Sequence, residues 1–496
     1  MQRLRNFVGG TWVDAEAQAW LDVDDPSTGE VIAQVPLSAA GDADRAVRAA
    51  HEAFQEWSRI PVGRRVEPLR CLLELLRREE EALARLIAEE NGKSLPDARA
   101  EMKRALDNLE VACAAPVLLQ GEKLIGAGPD IDGEVLRVPL GPFAVICPFN
   151  FPAMVPFWFF PYALAAGNTV VVKPSELVPC TMQRITELIA QAGFPPGVFN
   201  LVNGDKNVAT ALLDHPLLEG ASFVGSTPVA RQVAMRCVGN GKRFQAFGGA
   251  KNHLVVMPDA CLREVIRNMI TSCYGCAGQR CMAASAIICV GERIYQEVCE
   301  RFIKASRQVI VANPLDPSVA EEPMVLGPVI SAQARDRICR MIETGVAEGA
   351  TLALDGRGVV VPGCEGGYFI GPTVFTDVRP GMTIHTTEIF GPVVVMLRAE
   401  SLDEALRIIN EHQYANGASI YTQSGHYARR FKLEARVGMV GINVGIPAPV
   451  AALPFGGMRA SNFSDIKTQG RTAWRFYTDE RIVTERYWPE EGESDD

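Results

Sequence analysis

Cys281 closes the segment Gly278-Gln279-Arg280-Cys281, on a small-residue bend between a helical run and a β-branched run, with an arginine beside it. A thiol there has little Cβ crowding, so a planar carbonyl can approach, and a cysteine thiolate forms acyl intermediates readily. Asn150 lies in Pro148-Phe149-Asn150-Phe151-Pro152, a polar amide held by aromatics and prolines, as an oxyanion donor must be. A buried asparagine serves equally to satisfy a backbone group. Lys173-Pro174-Ser175-Glu176 offers an ammonium and a carboxylate that could grip a ribose, or a surface turn with an ion pair.

Gly225-Ser226-Thr227-Pro228 provides close backbone approach, a cap and a first-turn proline, and a bare helix N-terminus suits a pyrophosphate. It departs from G-x-G-x-x-G, so a plain strand–helix turn also fits. Glu388 precedes an aromatic and the Gly391-Pro392 turn, and Pro454-Phe455-Gly456-Gly457 forms a second rigid turn. Cys273, Cys276 and Cys281 raise the question of a metal. No fourth ligand follows at zinc spacing and the six histidines are dispersed, so no metal is expected.

The elements that must position these groups follow from hydrophobic period. Between residues 143 and 246, β-branched runs (143–147, 169–173, 198–202, 222–224, 243–246) alternate with helical patterns (156–166, 182–192, 207–213, 229–235). Such alternation predicts a parallel sheet covered on both faces, with ligands at the carboxyl ends of its strands. A second block from about 251 to 445 repeats the alternation, with strands at 284–290, 393–397 and 439–444 and helices at 293–309, 332–347 and 401–410. Two α/β domains with a cleft between them are expected. The alternating run 481–487 reads as a strand pairing outside its own core, as in an oligomer, and 474–477 as a short aromatic run.

A chain of 496 residues exceeds one hydrophobic core. Its formal charge of −10, without a basic block, argues against nucleic acid or an anionic membrane as partner. The apolar stretch 151–167 is short for a membrane span and holds Pro152, Pro156 and Pro161, which favours a buried helix. The start, Met1 to Phe7, is not followed by an apolar signal core, and 13 scattered cysteines suit free thiols in a reducing cytoplasm. The acidic tail 490–496 is expected to be solvated.

In order and spacing, Pro148-Phe149-Asn150, Lys173-Pro174-Ser175-Glu176, Phe223-Val224-Gly225-Ser226, Gly278-Gln279-Arg280-Cys281, Glu388-Ile389-Phe390-Gly391-Pro392 and Pro454-Phe455-Gly456-Gly457 resemble the aldehyde dehydrogenase superfamily over nearly the whole chain. The resemblance implies a Rossmann-type NAD-binding domain (1–118 and 138–247), an α/β catalytic domain (248–445), and a small β oligomerisation extension with the C-terminal tail (119–137 and 446–496). It makes Cys281 the nucleophile, with Asn150 and the Cys281 amide holding the oxyanion. It assigns Lys173 and Glu176 to the adenosine ribose, Ser226 to a phosphate and Glu388 to the nicotinamide ribose. Pro148, Phe149, Ser175, Gly225, Gly249 and Phe390 complete the cofactor site. Glu176 disfavours a 2′-phosphate, so NAD is expected over NADP.

Within the superfamily, Phe149 to Met154, Ala250-Lys251-Asn252-His253, Met257-Pro258-Asp259-Ala260 and Gly278 to Ala283 are most similar to the CoA-acylating methylmalonate-semialdehyde dehydrogenases. That likeness implies Arg104 and Arg280 as a guanidinium pair for a substrate carboxylate, with Phe149 and Phe455 lining the acyl site. Arg280 is also expected to lower the thiol pKa. Most of the superfamily carry a glutamate at the position of Phe247, where it activates water, and the CoA-acylating relatives carry asparagine. Phe247 is neither, adding bulk beside the nucleophile and narrowing the acyl pocket. Ala230 and the segment 459–463 are further departures.

Water needs a base at neutral pH, whereas a thiol near pKa ~8.5 is already partly thiolate. The missing carboxylate therefore favours coenzyme A over water as acyl acceptor. The leading expectation is NAD-dependent oxidation of malonate or methylmalonate semialdehyde to acyl-CoA with loss of CO2, in a cytoplasmic homotetramer or homodimer. The alternatives are a hydrolytic aldehyde dehydrogenase and an inactive structural or binding homologue.

Overall fold

The computed structural model describes residues 2–17 and 19–488, so the acidic tail lies outside the described residues. One seven-stranded sheet runs, edge to edge, through Arg243–Phe247, Gly220–Val224, Pro142–Ile146, Thr169–Lys173, Phe199–Leu201, Asn6–Val8 and Thr11–Val13. The first five are mutually parallel, and the last two add antiparallel. Every residue of Thr169–Lys173 is buried, which is why it reads as an unbroken β-branched run. The strand order reverses beside Pro142–Ile146: the chain moves out one side to Phe199–Leu201, then returns through Gly220–Val224. Such a switch point opens a crevice beyond the carboxyl ends.

A second seven-stranded sheet holds Thr351–Leu354, Thr373–Thr376, Val393–Ala399, Ala284–Val290, Asn252–Val256, Gly417–Tyr421 and Met439–Ile442, parallel except at Thr351–Leu354. The apolar stretch after Asn150 is buried as expected, but as two short helices, Met154–Phe157 and Phe160–Ala166. Pro161 lacks an N–H and so starts the second helix instead of continuing the first. Among the described residues no helix is long and apolar enough to cross a membrane.

The tail strand pairs outside the two main sheets, as the sequence suggests, and does so within its own chain. The strand is Asp479–Glu485, and it pairs antiparallel with Ile131–Val138 of the same chain, in unbroken register from Asp479↔Val138 to Glu485↔Asp132. Glu122–Gly128 completes this three-stranded sheet. Residues 474–477 belong to a helix, Gly470–Tyr477, whose Tyr477 and Trp474 are buried. The tail thus folds back onto its own chain and leaves Ile125 (77%) and Ile482 (76%) exposed on the extension.

Candidate active site

Cys281 follows a tight turn, Gly275–Gly278, in which Cys276 (φ 50°) and Ala277 (φ 54°) take left-handed backbone that non-glycine residues rarely adopt. Gly278 (φ 70°) presses against the Gly391 carbonyl so closely that a Cβ would collide with it. The Cys281 carbonyl then accepts from two amides, Asn252 Nδ2 at 2.8 Å and Asn416 Nδ2 at 3.0 Å, which anchor the Cys281 backbone to the second sheet.

Asn150, just beyond the strand Pro142–Ile146, donates from Nδ2 to the Gln279 carbonyl at 2.9 Å. A primary amide has two N–H groups, so one remains for an oxyanion beside Cys281. Burial pushes the Cys281 thiol up to about 12, and the Glu388 carboxylate adds to the rise. Arg280 does pull it down, as the sequence suggests, but by less than these two push.

Cys281 lines two cavities. The larger, of about 1060 Å³, lies along the carboxyl ends of the first sheet. It brings together all ten residues read as cofactor-binding: Pro148 and Phe149 with Asn150, then Lys173, Ser175 and Glu176, then Gly225 and Ser226, and finally Gly249, Glu388 and Phe390. Lys173 Nζ pairs with Glu176 Oε2 at 3.1 Å and donates to the carbonyls of Pro174 (2.8 Å) and Gly204 (2.6 Å). Ser226 is the N-cap of the helix Thr227–Gly239, yet its hydroxyl makes no cap bond, leaving it and the helix N-terminus open to an anion.

Glu388 Oε1 accepts from the Ala250 amide at 2.9 Å, and its other oxygen fills the space a Cβ on Gly249 would need. Burial raises the Glu388 carboxyl to about 7, against the opposing pull of the Ala250 amide, Lys251 and Arg337. Buried Lys251, donating to the carbonyls of Ile384 and Thr387, is brought down to about 7. Sequence reasoning missed Arg337, a half-buried cation lining this cavity; an arginine on an ordinary helix carries no local signal. The cavity joins the Lys173–Glu176 ion pair, an open helix N-terminus, and the Glu388 carboxylate with the Cys281 thiol.

The smaller cavity, of about 310 Å³, is lined by Cys281, Arg104, Arg280 and Asp97, with Phe151, Met282 and Ile446 among its apolar walls. The expected arginine pair is altered here. Arg280 is already held: Nη2 pairs with Asp97 Oδ1 and Nε donates to Cys276 Sγ at 3.2 Å. Burial would raise Asp97, but Arg280 and the Cys276 amide outweigh it, so the carboxyl is lowered and stays charged. Arg104, half-buried on the helix Leu95–Cys113, has no carboxylate within ion-pair distance among the described residues. Its guanidinium makes one long bond, 3.3 Å, to its own helix at Ala100. Of the two arginines, Arg104 is the one open to a ligand.

Two aromatic expectations change. Phe455, expected on the acyl site, is 4% exposed and packs on Trp158 with ring centroids 4.6 Å apart. Phe247, expected to narrow the acyl pocket, is 5% exposed and lines neither cavity. Its ring stacks on Phe159 (6.3 Å, 21°) and approaches Gly456. An apolar ring at this strand end gains more from the aromatic core than from the polar crevice.

The histidines are less dispersed than the sequence suggests. His253, His385 and His412 are buried with ring centroids 5.1–5.2 Å apart. His253 Nε2 meets His385 Nε2 at 3.0 Å, while His412 engages the His385 carbonyl through Nε2 and accepts from the Tyr414 amide through Nδ1. Burial lowers all three pKa values, His385 to about 3, so the trio is neutral; His253 and His385 spend their Nε2 atoms on each other, His412 is held by backbone, and His385 Nδ1 is buried without a partner among the described residues.

Comparison with known proteins agrees with this geometry. The profile of the aldehyde dehydrogenase family matches residues 12–483. Malonate-semialdehyde dehydrogenase 3 of Geobacillus kaustophilus is 46% identical over 484 residues, covering 98% of this chain and 99% of that one. Malonate-semialdehyde dehydrogenase 1 of the same organism is 44% identical, covering 98% of each. Among solved structures, a protein of Sinorhizobium meliloti 1021 described as a methylmalonate-semialdehyde dehydrogenase and complexed with NAD superposes with a TM-score of 0.96. It is 39% identical and covers 100% of this chain and 99% of its own. The methylmalonate-semialdehyde dehydrogenase of Oceanimonas doudoroffii also gives 0.96 at 39% identity, covering 99% of each chain. A full-length match, a doubly wound crevice and a cysteine at the meeting of two cavities lead to one conclusion: this chain belongs to the aldehyde dehydrogenase family.

Proposed function

We propose that the enzyme oxidises malonate or methylmalonate semialdehyde and passes the acyl group to coenzyme A, with NAD as oxidant. The observation that carries the substrate class is Arg104, a guanidinium without a carboxylate partner among the described residues, in the same small cavity as Cys281. A carboxylate one carbon from the aldehyde suits that span. The relatives named for malonate and methylmalonate semialdehyde support the same class.

In this reading the Cys281 thiolate attacks the aldehyde carbon, and the new oxyanion is held by the free Asn150 N–H and the Cys281 amide. NAD, held by Lys173, Glu176, Ser226 and Glu388, supplies the hydride acceptor. Collapse of the oxyanion leaves a thioester on Sγ. The substrate carboxylate, now β to the thioester carbonyl, departs as CO2, and the electron pair of the broken C–C bond is taken up with a proton at the α-carbon. The coenzyme A thiolate then adds to the thioester carbon and expels the Cys281 thiolate. A thiol needs no dedicated base, which fits a phenyl ring at position 247.

One observation favours the hydrolytic alternative: Glu388 lines the same cavity as Cys281, and with its carboxyl raised to about 7 it is poised to take a proton from water. Product analysis separates the two. Acyl-CoA and CO2 are expected with coenzyme A present; equal release of free acid with and without it overturns the acylating reading. The thirteen unpaired cysteines support a cytoplasmic setting. The exposed Leu124, Ile125 and Ile482 of the three-stranded extension support assembly as a dimer or tetramer.

A further inference from the structure

We infer that Lys93 and Glu101 are positioning residues that hold Asn150 in place as oxyanion donor, acting through the backbone of residues 150–154. Lys93 stands in Gly92-Lys93-Ser94, between the helices Glu80–Asn91 and Leu95–Cys113, and Glu101 is on the second helix. Both side chains are 0% exposed and pair with each other. The Lys93 ammonium also donates to the Asn150 carbonyl at 2.7 Å and lies 4.1 Å from the centre of the Phe151 ring. Glu101 Oε1 accepts from the amides of Ala153 (2.8 Å) and Met154 (3.1 Å). One buried ion pair therefore grips four sites of the loop: carbonyl 150, ring 151, and amides 153 and 154.

Stability alone is a weak reason for this arrangement. Desolvating two charges is expensive, and apolar residues of similar volume often hold a fold as well or better. What the pair supplies is a fixed carbonyl direction at Asn150, and hence a fixed direction for its side chain. Asn150 already spends one N–H on Gln279, so small rotations of its backbone swing the remaining N–H away from the oxyanion on the carbon attached to Sγ. Loss of one oxyanion donor costs on the order of 10²–10³ in kcat, which sets the ceiling for any effect of misplacing it. Neither Lys93 nor Glu101 lines either cavity, so neither is expected to touch substrate or cofactor.

This rests on the reading of Asn150 as donor to a Cys281 adduct, and the test separates the two. Pre-steady-state NADH formation is measured with the full-length Lys93→Met, Asn150→Ala and doubly substituted enzymes, using malonate semialdehyde. Lys93→Met is expected to slow the burst roughly 10- to 100-fold, with its amplitude retained and KM for NAD within about twofold. In the Asn150→Ala background the same change is expected to cost less than about threefold, because the donor it positions is gone. Equal losses in both backgrounds, or a reduced amplitude at an unchanged rate, overturn the inference: Lys93 would then serve only the fold. An Asn150→Ala enzyme with a wild-type burst overturns the reading of Asn150 itself. If Lys93→Met does not fold because Glu101 is left buried and unpaired, Lys93→Met with Glu101→Leu removes both charges and is read in the same way.

Discussion

Arg104→Leu tests the substrate assignment most directly. The guanidinium is half-buried, borders the cavity that Cys281 lines, and among the described residues is engaged only by a 3.3 Å bond to its own helix. Little is lost inside the protein on removing it, so the effect reports almost entirely on the ligand. Hydrogen bonds to charged groups contribute about 1.5–3 kcal/mol each. A bidentate carboxylate contact, partly offset by residual solvent access, then gives about 2–4 kcal/mol. At about 1.4 kcal/mol per factor of ten, that is roughly a 30- to 1000-fold loss in kcat/KM for malonate semialdehyde.

Propanal has no carboxylate and should be affected less than about threefold by the same change. The assay is initial-rate NADH formation with each aldehyde at saturating NAD and coenzyme A. Parallel losses for both aldehydes, or none for either, would refute the assignment. Arg280→Leu gives the contrast: it strands Asp97, so it should depress both aldehydes alike and lower the melting temperature.

Three further outcomes follow from the buried groups. With NAD absent, alkylation of Cys281 followed by peptide mass spectrometry should accelerate about tenfold per pH unit from pH 7 to 9, because its thiol lies up near 12; a plateau below pH 8 would contradict this. Phe247→Glu should lower the melting temperature and raise free-acid release less than about tenfold, since a carboxyl buried against Phe159 stays protonated; a gain near 100-fold would show that the side chain reaches the thioester. The histidine trio has depressed pKa values when folded, so its stabilisation is present above the unfolded value of ~6.5 and is lost as pH falls. Glu90 and Glu388, raised to about 7, work in the opposite sense between their unfolded pKa values and 7. His412→Gln should therefore show a smaller drop in melting temperature from pH 7 to 5.5 than the parent, and equal drops would refute the sign.

The sequence displays what is written locally. Thr169–Lys173, Ala284–Val290 and Ala332–Ala347 are bounded as their hydrophobic periods predict, and the motif residues gather because parallel strands deliver their carboxyl ends to one crevice. What escaped reading depends on proximity across the chain. Asp97 claims Arg280 from 183 positions away, the three histidines meet from separate elements, and Asp479–Glu485 finds its partner strand in its own chain. Family likeness puts Phe455 on the acyl site, yet its ring packs on Trp158, a contact between distant segments that no local motif displays. Lys93 escaped for a related reason: a lone lysine between helices looks solvated until a fully buried carboxylate is found beside it.

Cys281 belongs to the walls of both cavities, and this makes the thiol a partition between two rooms. In the proposed function, an acyl group on Sγ would sit in the small room, leaving the large one free to exchange its occupant. In the proposed reading, turnover divides into one half that needs the dinucleotide in the larger cavity and a second that needs only the acyl acceptor. An enzyme arranged like this can wait, charged, between its substrates.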